Sequence, residues 1–268
     1  MAILPEAYNY IGADQDPRIL LLCDHASPYI PPEYADLGLP EGSLETHIAY
    51  DLGAAEMTRA LAAALGCPAI LSNFSRLLID PNRGLDDPTL VVKLSDRNII
   101  PANQRVDKYQ DQQEWQRRID LFYQPYNDAI DAHLEGVLAA DIYPIILSVH
   151  SFTPVWRGDE RPWHGAILWD NDPRLKDHMH DYFTKRPEIV FGDNIPYTGR
   201  LKGDCLYRHA TRRGLAHGLI EIRQDIATDD SARQEWLAHL VAIMQTALKD
   251  PHMGQQVFYG STTDRDFT

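Results

Sequence analysis

Residues Ile19 to Tyr34 read ILLLCDHASPYIPPEY. The first five, Ile19 to Cys23, are uniformly apolar and have a clear reason to be buried as a short strand. Asp24, His25 and Ser27 then arrive together, directly before a proline-rich turn. A core strand that runs straight into an acid, an imidazole and a hydroxyl is a strand whose end serves chemistry. In open α/β sheets the ligand crevice lies beyond the carboxyl ends of the strands.

Working outward, further short apolar runs bounded by turns predict more strands. With Arg18–Cys23 they are Pro68–Ser72, Arg76–Asp80, Tyr143–His150, Gly165–Trp169, Glu188–Gly192 and His217–Arg223. Helical patterns lie between them. From Leu44 to Leu65, apolar residues recur at Leu44, Ile48, Leu52, Ala55, Ala62 and Leu65, with Ser43 as N-cap and Gly66 as the stop. Asn103–Ala140 reads as one long helix, kinked at Pro125. Further helices are expected over Pro173–Lys185, Asp204–Arg213 and Asp229–Leu248. The alternation implies an α/β fold, a three-layer sandwich around a mainly parallel mixed sheet. One domain over residues 1–268 is expected, with a polar, loosely held tail from Asp250.

Charge and composition restrict the function. The 268 residues carry a formal charge of −14 and the pI is near 5.1, which excludes the broad positive footprint of a nucleic-acid binder. The same excess repels a small anionic substrate over long range, so such a substrate needs a local cluster of arginines. No apolar run approaches the roughly 18–20 residues of a membrane span, and the N-terminal segment lacks the features of a secretory signal. Cys23, Cys67 and Cys205 are odd in number and far apart, which speaks against a disulfide framework. A cytoplasmic protein is expected.

Four strand ends carry chemically useful residues: Asp24, His25 and Ser27; Asp80, Asn82 and Arg83; Ser148, His150 and Ser151; and Glu221 with Arg223. On the last strand Leu219, Glu221 and Arg223 share one face by the period of two. On the expected helix from Leu44, His47 and Asp51 are four residues apart and stand one above the other. Each alone fits an ordinary structural use: a hydrogen-bonded histidine, a turn aspartate, an internal ion pair. Two histidines, a glutamate and several arginines converging on one edge are too costly to bury without a role. The chemistry they suit is metal-assisted hydrolysis. His25 and His150 are natural imidazole ligands, Glu221 is the natural base, and arginines supply an oxyanion donor and a grip on a substrate carboxylate.

The blocks LLCDHASPYIPPEY, HIAYDLGAA, SRLLIDPNR, SVHSFTP and LIEIRQD, in that order, resemble the N-formylglutamate amidohydrolase family from about Leu21 to Asp225. The resemblance implies hydrolysis of the amide between a small acyl group and an acidic amino acid, with zinc as the usual metal. It implies a phosphorylase/hydrolase-like fold shared with zinc carboxypeptidases and aspartoacylases. Aspartoacylase-like features fall on His25, on Arg76 with Asp80, Asn82 and Arg83, on His150, and on Glu221. Arg76 and Glu221 are thereby expected to be catalytic, and Asn82 and Arg83 to bind substrate. Arg223 is expected to join them at the substrate, with fixing Glu221 or a structural ion pair as its other uses.

One departure matters. The wider group pairs its first histidine with a glutamate three residues later, where this chain has Pro28. Glu33, Glu45, His47 and Asp51 can supply a third ligand, and His47 is the expectation, with Asp51 as its orienting partner or replacement. Zinc is the expected ion, although imidazole with carboxylate also suits iron, cobalt or nickel. Tyr197, Arg200 and His209 fall in a Gly-rich polar stretch that suits either a loop over the pocket or a surface connection. Trp156, Trp163 and Trp169, which follow the His150 strand, suit either the pocket wall or core filling, and core filling is the expectation. The expected partner is a small anionic acylamino acid, with no nucleic acid and no membrane. The alternatives are a peptidase or cell-wall amidase of the same fold, and a non-catalytic binding protein for an acidic ligand.

Overall fold

A computed structural model describes residues 6–264; the ends of the expected domain and the last four residues of the expected tail lie outside the described residues. Every residue of Ile19–Cys23 is buried, and the strand divides its side chains by the period of two. Leu20 and Leu22 join the core on one face of the sheet; Ile19, Leu21 and Cys23 join the core on the other.

In chain order the elements are β1 (Tyr8–Ile11), β2 (Ile19–Cys23), α1 (Ala54–Leu65), β3 (Ala69–Ser72) and a small ribbon of β4 (Leu94–Ser95) with β5 (Asn98–Ile99). Next come α2 (Gln112–Arg118), a π-helical turn over Ile119–Tyr123, α3 (Gln124–Leu138) and β6 (Ile145–Phe152). A second ribbon pairs β7 (Val155–Trp156) with β8 (Asp159–Glu160). The chain ends with β9 (Gly165–Leu168), α4 (Arg174–Phe183), β10 (Phe191–Asp193), α5 (Cys205–His209), β11 (His217–Arg223), α6 (Gln224–Thr228) and α7 (Asp230–Ala247).

Seven strands form one sheet in the order β1-β3-β2-β6-β11-β9-β10. β2 with β3, β2 with β6, β6 with β11 and β9 with β10 are parallel; β1 with β3 and β9 with β11 are antiparallel. One face is covered by Phe122, Tyr126, Ile130 and Leu134 of the α2–α3 rod, the other by Met57 and Leu61 of α1, Met179 of α4 and Leu240 of α7. The mainly parallel three-layer sandwich is therefore present. Among the described residues no helix is long and apolar enough to cross a membrane.

Four local expectations are corrected. The helix expected from Leu44 begins only at Ala54. Gly53 has φ +78°, and a Cβ there would lie 2.3 Å from the Ala227 carbonyl oxygen, so a left-handed glycine against α6 interrupts the run. Residues 43–52 form a single 3-10 turn over Ser43–Glu45 followed by bends and turns, and His47 and Asp51 do not share a helix face. Arg76–Asp80 is no strand: the Ser75 hydroxyl accepts the Leu77 N–H and donates to the Ala49 carbonyl, a local turn that displaces the ladder. The long helix starts at Gln112, capped by Asp111, and Pro125 is accommodated after a π-turn in the first turn of α3. The segment after Asp250 is fastened: Val257 N–H donates to the Gly214 carbonyl, and Ser261 and Thr262 bind the Asp170 carboxylate.

Candidate active site

The sheet brings three adjacent strands to one point. Asp24 continues the Leu20, Leu22 side of β2 and enters the core, where Tyr126 donates to it at 3.0 Å and Ser148 at 2.8 Å. On β6, Ser148 and His150 face the same way. β11 runs parallel beside it with Glu221 in register with His150. Two loops complete the group. Asp51 is pinned by its own N–H to the His25 carbonyl, and its carboxylate accepts the Ser151 N–H. Asp80 arrives on the turn that replaces the expected strand, with Arg76 one turn before it.

The hydrogen bonds dictate which ring nitrogens are free. An Arg76 Nη1 lies 3.2 Å from His25 Nδ1. Because a guanidinium only donates, His25 Nδ1 is an acceptor and Nε2 carries the hydrogen, donated to Asp80 at 2.8 Å. Two acceptors, His25 Nδ1 and Asp51 Oδ2, therefore face each other at 3.4 Å with no proton to share. His150 presents Nδ1 to the same Asp51 oxygen at 2.8 Å and holds Asp24 through Nε2 at 3.0 Å. The two imidazoles meet edge to face, 4.8 Å between centroids.

One donor atom from each of His25, Asp51 and His150 lies within 4.8 Å of the others, and all three residues are buried. Two nitrogens and one carboxylate oxygen are the donor set of a catalytic zinc site with an open position. Each imidazole is also oriented through its other nitrogen by a carboxylate, as metal-binding histidines usually are. The residues fit the ion that the resemblance implies.

The electrostatics agree. Burial opposes charge on Asp51 and Asp24, yet the hydrogen bonds and charge of His150 hold both well below the ordinary carboxylate range. Burial likewise opposes charge on His150, but its bonds to Asp24 and Asp51 outweigh that and push its pKa up to about 10. Burial raises Glu221 to about 8, against the pull of His150, and its Oε2 has no hydrogen-bond partner among the described residues. At neutral pH the metal-free site thus holds a proton on His150 that an ion bound there would displace from Nδ1. Metal uptake is expected to release this proton, and apparent affinity to rise by up to about tenfold per pH unit between pH 6 and 9. Calorimetric titrations in buffers of differing ionisation enthalpy read the release; an affinity flat across that range contradicts the assignment.

His25, Asp51, His150 and Glu221 line a cavity of about 590 Å³. His47 lies in its wall but away from the imidazoles: its Nε2 is 3.3 Å from Asp96, in the turn of the β4–β5 ribbon. Asp51, not His47, stands with the two histidines, because the chain around both residues is a turn and Asp51 is tied to His25. Glu33 is on the surface with Arg117, and Glu45 is exposed. Arg76, Asn82 and Arg83 line the cavity. Asn82 accepts the Cys205 N–H at 3.1 Å and gives its own N–H to Asp80. Arg83 rests on Thr89 and the Asn82 carbonyl. Arg223 is not in the cavity wall. It grips Asp225 with Nε and Nη2 at 2.7 and 3.0 Å and reaches the carbonyls of Arg161, Pro162 and Trp163, where β11 turns into α6.

Tyr197, Trp156 and Trp169 also line the cavity, so these two tryptophans are wall rather than core. His209 is buried between Asp131 and Asn127 outside the site. Sequence reasoning passed over Asp204 and His217, both buried in the cavity wall, and Arg161. Asp204 had a signal as a helix N-cap; a lone arginine between a ribbon and a proline has none.

A mixed sheet between helix layers, with paired imidazoles, carboxylates and a solitary buried glutamate at its carboxyl edge, defines an α/β hydrolase. The model of the N-formylglutamate amidohydrolase family matches residues 18–227, and the chain belongs to that family, whose members hydrolyse carbon–nitrogen bonds other than peptide bonds. The gene product Atu2144 from Agrobacterium tumefaciens is similar in structure, with TM-score 0.85 and 31% identity over 91% of this chain and 95% of that one. N-formylglutamate amidohydrolase from Ralstonia eutropha JMP134 shares the fold, with TM-score 0.68 and 19% identity over 91% of this chain and 99% of that one. No curated protein matches the chain.

Proposed function

We propose that this protein is a metal-dependent amidohydrolase that cleaves the amide of an N-acyl acidic amino acid, the N-formyl derivative such as N-formylglutamate foremost. The observation that carries it is the pair of acceptors, His25 Nδ1 and Asp51 Oδ2, facing each other beside His150 with Glu221 on the neighbouring strand. His25, Asp51 and His150 hold the ion in this reading, zinc by preference. When bound, the ion polarises the acyl carbonyl and makes water a competent nucleophile near neutral pH.

The chain's own residues do the rest. In its ionised form Glu221 takes a proton from the attacking water and passes it to the departing amine; with the metal-free carboxyl raised to about 8, that form grows with pH across neutrality. Arg76 is held by Asp80 at 2.8 Å with its other terminal nitrogen toward His25, where it serves as a fixed donor to the developing oxyanion. Arg83 and Asn82 offer donors to the substrate from the wall. In a chain of net charge −14 these local cations are what admits an anionic acylamino acid. A single cytoplasmic domain over residues 1–268 belongs to the same reading.

The test is release of formate and glutamate from N-formyl-L-glutamate by the purified protein. Turnover is expected with zinc, lost on chelation and restored by the metal. A metal-replete, folded protein that hydrolyses neither the formyl nor the acetyl nor the succinyl derivative refutes the proposal.

A further inference from the structure

Three arginines are buried among the described residues: Arg118, Arg161 and Arg174. Arg118 is paired with Glu114 at 2.8 Å and Arg174 with Asp172 at 2.6 Å. Arg161, with 8% of its surface exposed, has no carboxylate partner among the described residues. Its Nη1 donates to the Tyr197 hydroxyl at 3.1 Å and to the Thr153 side chain and carbonyl at 3.3 and 3.4 Å. Nε and Nη2 have no hydrogen-bond acceptor among the described residues. A buried guanidinium is ordinarily paired, because an unpaired buried charge is strongly destabilising.

The open edge has a known use in this molecule. Arg174 and Arg223 each hold a carboxylate with Nε and Nη2 together, the two-pronged geometry that matches two carboxylate oxygens. On Arg161 that same edge is free. The guanidinium is packed among aromatic rings, with its carbon 5.8 Å from the Phe152 centroid, 5.5 Å from Trp156 and 5.2 Å from Tyr197. These rings stiffen it, while Nε and Nη2 are not among the buried unpartnered atoms and so keep accessible surface. All three rings, and Thr153, line the cavity. Arg161 stands behind these wall residues, near enough for its charge to act on Glu221. The arginines of the wall itself differ: Arg76 is neutralised by Asp80, and Arg83 has Asp87 at 4.0 Å.

We infer that Arg161 is the specificity-determining anchor for a carboxylate of the substrate, received on its Nε and Nη2 edge, with Trp156 and Tyr197 packing against the substrate's aliphatic chain. This rests on the proposed hydrolysis of an acidic acylamino acid and deepens it by naming the residue that reads the acid.

The experiment compares wild type, Arg161→Met and Arg161→Lys on N-formyl-L-glutamate and on its two monoamides, N-formyl-L-glutamine and N-formyl-L-isoglutamine. Arg161→Met is expected to raise KM about 100-fold with kcat little changed. It is also expected to abolish the preference for the diacid over one monoamide while keeping it over the other. Arg161→Lys, which keeps the charge without the fork, falls between. These ratios do not depend on the fraction of folded enzyme, so a structural role alone does not move them. Unaltered preferences, or a fall confined to kcat, overturn the assignment. Calorimetric titration of the same three proteins with L-glutamate needs no turnover. Binding lost in Arg161→Met but present in a wild type without amidase activity sinks the functional reading and keeps the anchor. Turnover with binding indifferent to Arg161 does the reverse.

Discussion

Glu221→Gln is expected to lose about 10²–10⁴-fold in kcat, the ordinary contribution of a positioned acid–base group, while retaining its metal. Gln keeps the shape and burial of the side chain but can neither take a proton from water nor deliver one to the amine. Because Glu221 is no part of the His25, Asp51 and His150 group, metal content and the calorimetric affinity stay within a few-fold of wild type. The substitution also has a thermodynamic signature. Between its ordinary value near 4.5 and its raised value of about 8, the folded protein retains a proton on Glu221 that the unfolded chain has released. Wild-type stability therefore falls with rising pH across this window, and Gln removes that term. Metal-free Glu221→Gln should gain stability over metal-free wild type progressively from pH 5 to 8, read by denaturant titration. Normal turnover by folded Glu221→Gln, or a stability difference independent of pH, removes Glu221 from the role given to it.

The second large effect separates Asp51 from His47. Asp51→Asn is expected to weaken zinc binding by about 100-fold or more, since a ligand's charge is lost and the His150 bond weakened. Activity at micromolar zinc falls with it. His47→Ala leaves zinc binding unchanged, because its partner is Asp96. Metal analysis of both variants after equilibration at one free-zinc concentration decides the matter. The opposite pattern restores His47 as the ligand and disqualifies the turn geometry as the basis for the site.

This contrast also marks what was legible in the sequence. The buried strands β2, β6 and β11 announce themselves by short apolar runs, and the polar residues at their ends follow from where such sheets place their crevices. His25, His150 and Glu221 were accessible from that logic alone. Asp51 was visible only as the partner of His47 or its replacement as ligand, because the apolar spacing from Leu44 mimics a helix through a stretch of turns. What delays that helix to Ala54 is the left-handed Gly53, packed where a Cβ would meet the carbonyl of Ala227, a residue far away in the chain. The turn at Arg76–Asp80 was hidden similarly: its apolar residues are buried as a strand's would be, while a serine hydroxyl redirects the backbone. Arg223 shares a strand face with Glu221 by periodicity, yet the next turn supplies Asp225 and draws it away. Arg161 left no trace, because its placement beside Phe152, Trp156 and the distant Tyr197 is a property of the fold.

Everything depends on His25, Asp51 and His150 sharing one ion. The most direct measurement is a crystal structure of the zinc-loaded protein with diffraction recorded above and below the zinc edge. A single anomalous peak is expected among His25 Nδ1, His150 Nδ1 and the Asp51 carboxylate. A peak at His47 and Asp96, or none among these three residues in protein saturated with zinc, contradicts the account.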